Sequence, residues 1–401
     1  MIFNYILTRT KVSLKGLILM KSEDTISKTN MKIAMIGQKR IPSREGGIEV
    51  VVEELATRMV EKGHQVTCYN RKGHHVAGAE FDTEQLKEYK GVKCVDVFTI
   101  NKRGLAAMTA SVFGAVKAAF RPYDVVHFHA EGPAFMCWFP KLFGKKIYTT
   151  VHGLDHKRAK WGRFASWYIK TGEKNAVRFS DEIIVLSKGV QDYFMQTYGR
   201  KTVFIPNGVK QKPNRPADYI TKTWGLEKDG YVLYMGRLVP EKGSHYLIQA
   251  FKKCRTDKKL VIAGGSSDTN EYEQKIREMA AGDDRIIFTG FVQGRVKHEL
   301  YSNAYLYTLP SELEGMPLTV LEAMSYGNCC IVSDIAECTE VVEDKAVVFK
   351  KSDAADLKEK LQMLFDDEKL VQKYKSEAEG FILGKYDWND VVERTLELYK
   401  G

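Results

Sequence analysis

From residue 32 onward, short runs of β-branched and aliphatic residues alternate with longer amphipathic stretches, and near residue 207 the pattern breaks and starts again. The runs at 32–37, 65–69, 92–97, 124–128, 146–151, 182–186 and 203–205 are expected strands. Helical periodicity lies between them, as at 49–62, where Val50, Val51, Leu55 and Met59 share a face, and in the apolar stretch 105–120. Strands alternating with helices require a parallel sheet covered on both sides. Residues 207–229 hold Pro213, Pro216 and few apolar positions, which reads as a linker. Beyond it, strands are expected at 231–235, 259–263, 285–289, 304–309, 328–332 and 346–349, and helices at 244–254, 272–281, 317–325 and 354–374. The expected fold class is α/β, with two Rossmann-like doubly wound domains, 31–206 and 207–385, facing each other across a deep cleft. Ligands in such sheets bind at the carboxyl ends of the strands.

Residues 1–30 mix apolar and basic positions with no continuous apolar core ahead of a small-residue cleavage site. They read as a disordered extension ahead of a start at Met31, with a weak amphipathic membrane tether as the alternative. No apolar run approaches the ~18–20 residues that a bilayer span needs. Seven scattered cysteines without a paired spacing point to reduced thiols and a cytoplasmic location. Charge is distributed unevenly: residues 31–215 carry a net +14 and residues 216–401 a net −7. Such an asymmetry suits a first half that faces something anionic, either phosphates or an acidic membrane surface on the inner face of the cell membrane. Nucleic acid is not among the expected partners.

The strongest chemical signal is T-L-P-S-E-L-E-G-M-P-L-T-V-L-E-A-M-S at 308–325. A strand ends, a polar turn follows, and Gly315-Met316-Pro317 opens a helix. Free N–H groups at that helix start suit a diphosphate or its attached sugar. Glu314 in the turn and Glu322 farther along offer carboxylates that accept hydrogen bonds from vicinal hydroxyls. A second group, M-G-R-L-V-P-E-K-G at 235–243, places Arg237 and Lys242 just after a strand, where two cations can neutralise a leaving diphosphate. A third, I-P-S-R-E-G-G-I-E at 41–49, is a loop whose Gly46-Gly47 lets backbone approach a phosphate or acceptor. It is not the dinucleotide fingerprint, and Tyr69-Asn70-Arg71 stands where an acidic residue would be needed, so a nicotinamide dehydrogenase is disfavoured.

Weaker signals face the same cleft. His152 in T-V-H-G ends a strand and reads either as a sugar contact or as a satisfied turn histidine. His127 and His129 point to one side of theirs; no third ligand accompanies them, and no D-x-D element follows a strand, so no metal is expected. The basic and aromatic stretch 156–170, with Lys102, Arg103, Lys117 and Arg121 around the helix at 105–120, could dock on anionic lipid or could simply be a solvated basic face.

Taken in order, P-S-R-E-G-G-I-E, D-V-V-H-F-H, T-V-H-G, I-P-N-G-V, G-R-L-V-P-E-K-G and E-G-M-P-L-T-V-L-E-A-M resemble family 4 of the retaining glycosyltransferases, which have the GT-B fold. The first of them looks like bacterial enzymes that build exopolysaccharide, capsule or cell-wall units on a lipid carrier. The resemblance implies a metal-independent enzyme with no cofactor, a nucleotide-sugar donor and a glycan or lipid-linked acceptor. It implies that Arg237 and Lys242 bind the donor phosphates and that Glu314 sits against the transferred sugar. Backbone N–H groups of Gly315, Met316, Pro317 (which has none), Leu318 and Thr319 lie in the segment expected beside sugar and diphosphate. Glu322 would hold the ribose hydroxyls, Phe291 and Val292 would border the base, His152 would touch the sugar, and Gly46-Gly47 would close over the diphosphate. A ribose with both hydroxyls leans towards UDP or GDP. The last helix, within 386–401, would cross back onto the first domain. Gln38-Lys39-Arg40 departs from the family's small residues, and those cations could reach an anionic acceptor. The rival readings are a nucleotide-sugar epimerase or hydrolase on the same fold and a non-catalytic nucleotide-sugar-binding partner.

Overall fold

The computed structural model describes residues 30–43, 46–73, 86–100, 102, 104–157, 162–266 and 271–401. The expected extension at 1–30 therefore lies almost wholly outside the described residues, as do Arg44, Glu45 and Arg103.

Two sheets carry the molecule. The first contains β1 (Lys32–Ile36), β2 (Gln65–Arg71), β3 (Glu88–Tyr89), β4 (Val92–Val97), β5 (Val125–His129), β6 (Lys146–Val151), β7 (Glu182–Val185) and β8 (Val203–Phe204). Their spatial order is β3-β4-β2-β1-β5-β6-β7-β8, all parallel except the β3–β4 pair. The second sheet contains β9 (Tyr231–Met235), β10 (Lys259–Ala263), β11 (Ile286–Gly290), β12 (Leu306–Leu309), β13 (Cys329–Ser333) and β14 (Val347–Phe349), ordered β11-β10-β9-β12-β13-β14. Central strands such as β5 and β9 are buried along their whole length. That explains why they read as unbroken apolar runs rather than as alternating ones.

Helices cover both sheets: α1 (Gly47–Glu61), α2 (Leu105–Ala119), α3 (Glu131–Ala134), α4 (Trp138–Leu142), α5 (Arg163–Phe179) and α6 (Lys188–Tyr198) on the first, with α7 (Tyr219–Trp224) in the connection. The second carries α8 (Ser244–Phe251), α9 (Glu271–Ala280), α10 (Gly294–Asn303), α11 (Leu318–Ser325), α12 (Ala336–Val342), α13 (Ala354–Asp366) and α14 (Glu368–Lys385), followed by α15 (Trp388–Lys400). The two Rossmann-like domains each reverse strand order once, between β1 and β5 in the first and between β9 and β12 in the second.

Two expectations need correction. The helix read over 354–374 is two helices, because the Asp367 side chain accepts from Leu370 N–H at 3.0 Å and caps a new helix just after α13 ends. The segment 207–229 is not a plain linker: it contains α7 and buries Ile220 and Leu226 in the second domain's core.

The C-terminal helix does return to the first domain. Trp388, Val391, Val392, Leu396 and Tyr399 of α15 join the core formed by β1, β2 and α1. The two segments that cross between domains run side by side: Val209 N–H donates to Tyr386 O at 2.9 Å, and Val209 bridges Asp387. A Cβ at Gly208 would stand 2.7 Å from Trp388 N, so only glycine allows that approach.

Candidate functional site

In the second domain the chain leaves β9 at the strand-order reversal and runs through Arg237 into a single 3-10 turn, Pro240–Lys242. Gly243 (φ +68°) ends that turn against the segment leaving β12, with a hypothetical Cβ only 1.9 Å from Pro310 O. The two loops are thereby locked together, and Glu312 N–H donates to Glu241 O at 2.9 Å. This contact sets the main feature of the site: Lys242 Nζ lies 2.5 Å from Glu314 Oε1, which also accepts from Ser311 Oγ at 2.6 Å. Ser311 is held in turn through its carbonyl by Ser333 Oγ at 2.5 Å. The ion pair is largely shielded from solvent, its side chains being 17% and 7% exposed.

Pro317 stands at the N-cap position of α11, so the first N–H groups of Leu318 and Thr319 have no partner four residues back within the helix. Glu322, one turn on, is half-buried and pairs with Lys297 Nζ at 2.6 Å on α10. Phe291 and Val292 follow β11 on the same edge, where Phe291 faces Gly265 and Val292 packs on the core.

The first domain presents its own strand ends to this edge. A Cβ on Gly315 would lie 1.6 Å from His152 O, and one on Gly153 would lie 3.0 Å from Gly315 Cα. A Cβ at Gly47 would stand 3.4 Å from Leu318 Cδ1, and Asn207 N–H donates to Met316 Sδ at 3.0 Å. His152, Gly47 and the 314–319 segment are thus brought together across the cleft. Gly46 precedes α1 and stands beside Glu49, whose Oε1 takes Lys39 N–H at 2.8 Å. Phe291-Val292 follow β11, two strands from β9 in the sheet, and Glu322 lies on the helix that follows β12.

The histidines form a line. His127 bonds Tyr399 Oη at 2.6 Å through Nδ1 and Thr150 Oγ1 at 2.8 Å through Nε2. His129 Nδ1 lies 3.2 Å from His152 Nε2. Burial pushes His127 down to about 3, helped by the nearby His152, and pushes His129 well below the ordinary value, so both are neutral. With both nitrogens engaged, His127 serves structure; it joins α15 to the first sheet.

Of Gln38, Lys39 and Arg40, Gln38 is buried and the Arg40 guanidinium donates to Gly73 O. The stretch 156–170 is not wholly a solvated basic face, because His156 and Lys170, its two ends, both turn onto Glu173 at 3.1 and 2.8 Å. Its middle, 158–161, lies outside the described residues. Sequence reading missed Ser311, Lys297, Glu131 and Glu173. Ser311, three residues before Glu314, was the one with a local signal.

The two halves match separate family models. Residues 45–212 match the model described as Glycosyltransferase Family 4, and residues 219–381 match Glycosyl transferases group 1. An uncharacterized glycosyltransferase of Methanocaldococcus jannaschii is 26% identical over 92% of this chain and 98% of its own. Sucrose-phosphate synthase from Thermosynechococcus elongatus shares the fold with a TM-score of 0.78 at 21% identity, over 92% of this chain and 98% of that one. Anabaena HepE, solved in complex with UDP-glucose, shares it with a TM-score of 0.76 at 18% identity, over 92% and 99%.

Proposed function

Because this chain belongs to the family 4 glycosyltransferases of GT-B fold, we propose that it moves a sugar from a UDP-sugar to a glycan or lipid-linked acceptor, with retention and without a metal. The observation that carries this reading is the shielded Lys242–Glu314 pair at the strand-order reversal, set opposite His152 across the Gly153–Gly315 approach. The UDP preference is supported by the shared fold with HepE, solved with UDP-glucose.

In the proposed mechanism Arg237 and Lys242 take the donor diphosphate, and charge developing on it is stabilised by cations already in place. Lys242 then exchanges part of its contact with Glu314 for the phosphate, which frees a Glu314 oxygen for a sugar hydroxyl. Glu322 accepts from the ribose hydroxyls, with Lys297 and Tyr301 holding its carboxylate. Phe291 and Val292 border the base. The bond from the sugar's anomeric carbon to the phosphate oxygen breaks, the acceptor oxygen forms its bond on the same face, and its proton passes to the departing phosphate. His152 contacts the sugar from the first domain, while Gly46-Gly47 covers the diphosphate beside the start of α11. No step needs a covalent enzyme intermediate.

A role in bacterial surface polysaccharide synthesis, on the inner face of the membrane, fits the first domain's surface. Phe120, Leu142, Phe143, Phe164 and Trp167 are exposed on α2, α4, α5 and the turns that follow, among Lys117, Arg121 and Lys145. Among the described residues no helix is long and apolar enough to cross a membrane.

Titration calorimetry with UDP, GDP, dTDP, ADP and NAD in EDTA, on the wild type and Glu322→Ala, tests the donor assignment. Binding of UDP that weakens at least tenfold in the variant is expected. Binding of NAD alone, or of none of the five, overturns it. UDP-sugar consumption that proceeds equally without any acceptor identifies a hydrolase instead.

A further inference from the structure

Glu131 and Glu173 are completely buried in the first domain, on α3 and α5, away from the phosphate-facing residues of the second. Each has one carboxylate oxygen anchored by other donors and the second paired with the His156 imidazole. Glu131 Oε2 accepts Asp155 N–H at 3.1 Å. Glu173 Oε1 accepts Lys170 Nζ at 2.8 Å, Tyr193 Oη at 2.9 Å and the hydroxyl of Tyr198. The opposite oxygens, Glu131 Oε1 and Glu173 Oε2, are both buried and face the His156 imidazole, whose Nδ1 lies 3.8 and 3.1 Å from them. All three atoms lie within 4.8 Å of one another.

These three groups have the spacing of a metal site, and the donors behind their outer oxygens could serve as its outer shell. Donors that fix one oxygen of a carboxylate orient the other as a single-point ligand. A tetrahedral zinc with bonds of ~2.0–2.2 Å has ligand atoms ~3.3–3.6 Å apart, and 3.1 and 3.8 Å bracket that spacing. One imidazole nitrogen with two carboxylate oxygens is the borderline donor set that zinc accepts, and it leaves a fourth position for water.

We propose that Glu131, His156 and Glu173 bind one zinc ion, which clamps the turn after β6 to α3 and α5. The ion belongs to the first domain's framework; donor binding by Arg237, Lys242 and Glu322 does not involve it.

The test uses the full chain without a histidine tag, stripped with EDTA, dialysed, and titrated with Zn2+ by calorimetry and with Co2+ by visible absorption. One ion per chain is expected, with the absorption of four-coordinate cobalt and a rise in melting temperature. His156→Asn, whose parent side chain is only partly buried, is expected to weaken Zn2+ binding at least tenfold and to abolish that rise. Glu131→Gln gives a second, independent ligand change, and circular dichroism reports whether each variant is folded. His152→Ala is expected to leave Zn2+ binding intact. The proposal is overturned by absence of stoichiometric binding, by binding that folded His156→Asn and Glu131→Gln leave unchanged, or by binding that disappears in His152→Ala. None of these readouts depends on transferase activity, so failure of the donor assignment leaves the test standing.

Discussion

Replacing Gly315 with alanine adds one methyl group at the point where the two domains come closest. That carbon would stand 1.6 Å from the His152 carbonyl oxygen and 2.5 Å from its carbon. Ordinary van der Waals contact begins near 3.4 Å, so the surfaces must separate by ~2 Å, and overpacking of this kind costs about 1–3 kcal/mol. The strain has two outlets: loss of fold, or opening of the cleft. Neither Gly315 nor His152 belongs to a sheet's hydrophobic core, so opening is the cheaper outlet. The expected result is a fall in kcat/KM for transfer of about 5- to 150-fold, corresponding to those 1–3 kcal/mol. UDP affinity, measured by calorimetry, is expected to change less than threefold, because the added carbon removes no backbone N–H and leaves Arg237 and Lys242, proposed to hold the diphosphate, in place. The melting temperature is expected to move by no more than a few degrees. Transfer within twofold of wild type would refute the reasoning, as would a melting temperature lowered by ten degrees or more with transfer lost in parallel.

Three further outcomes follow from the geometry. Lys242→Met leaves the shielded Glu314 carboxylate without its cation, which costs about 3–5 kcal/mol of stability that Glu314→Gln/Lys242→Met should partly restore; separately, loss of a cation proposed to hold the diphosphate should lower transfer by about two orders of magnitude. His127 has a folded-state value depressed to about 3, so the unfolded chain takes up the proton first: the stabilisation is complete above pH ~6.5 and is lost as pH falls towards 3. From pH 7 to 5 this one group removes about 2 kcal/mol, and urea unfolding of His127→Gln should show a correspondingly shallower decline with acid. Paired Phe120→Glu and Leu142→Glu substitutions should reduce co-sedimentation with phosphatidylglycerol vesicles severalfold and leave binding of UDP unchanged; vesicle binding equal to wild type would remove the membrane-facing reading.

Where chemistry followed directly on a strand, the sequence was informative. Arg237, Glu314 and His152 each come within five residues of a strand end, and parallel strands bring their carboxyl ends to one edge however far apart they are in the chain. The continuous burial of β5 and β9 made those strands legible as apolar runs. The partners were harder to see. Lys297 reaches Glu322 from a different helix, and nothing in local spacing encodes that. Glu131, His156 and Glu173 come from a short helix, a turn and a long helix, and only the close packing of α3 on α5 unites them; a Cβ at Gly172 would meet Glu131 O at 1.9 Å. Asp367 carried a readable signal, an acidic cap before a new helical run, but the apolar periodicity continued through it and masked the break.

The parallel crossing at Val209 and Asp387 bears on how the cleft works. A single crossing strand would let one domain swivel about any axis, whereas two anchored side by side behave like a hinge with its pin fixed. The pairing at Val209 and the burial of Trp388 in the first domain's core therefore restrain how the domains can turn about the crossing. Trimming the chain before Trp388 would release the second crossing segment from the first domain and relax that restraint.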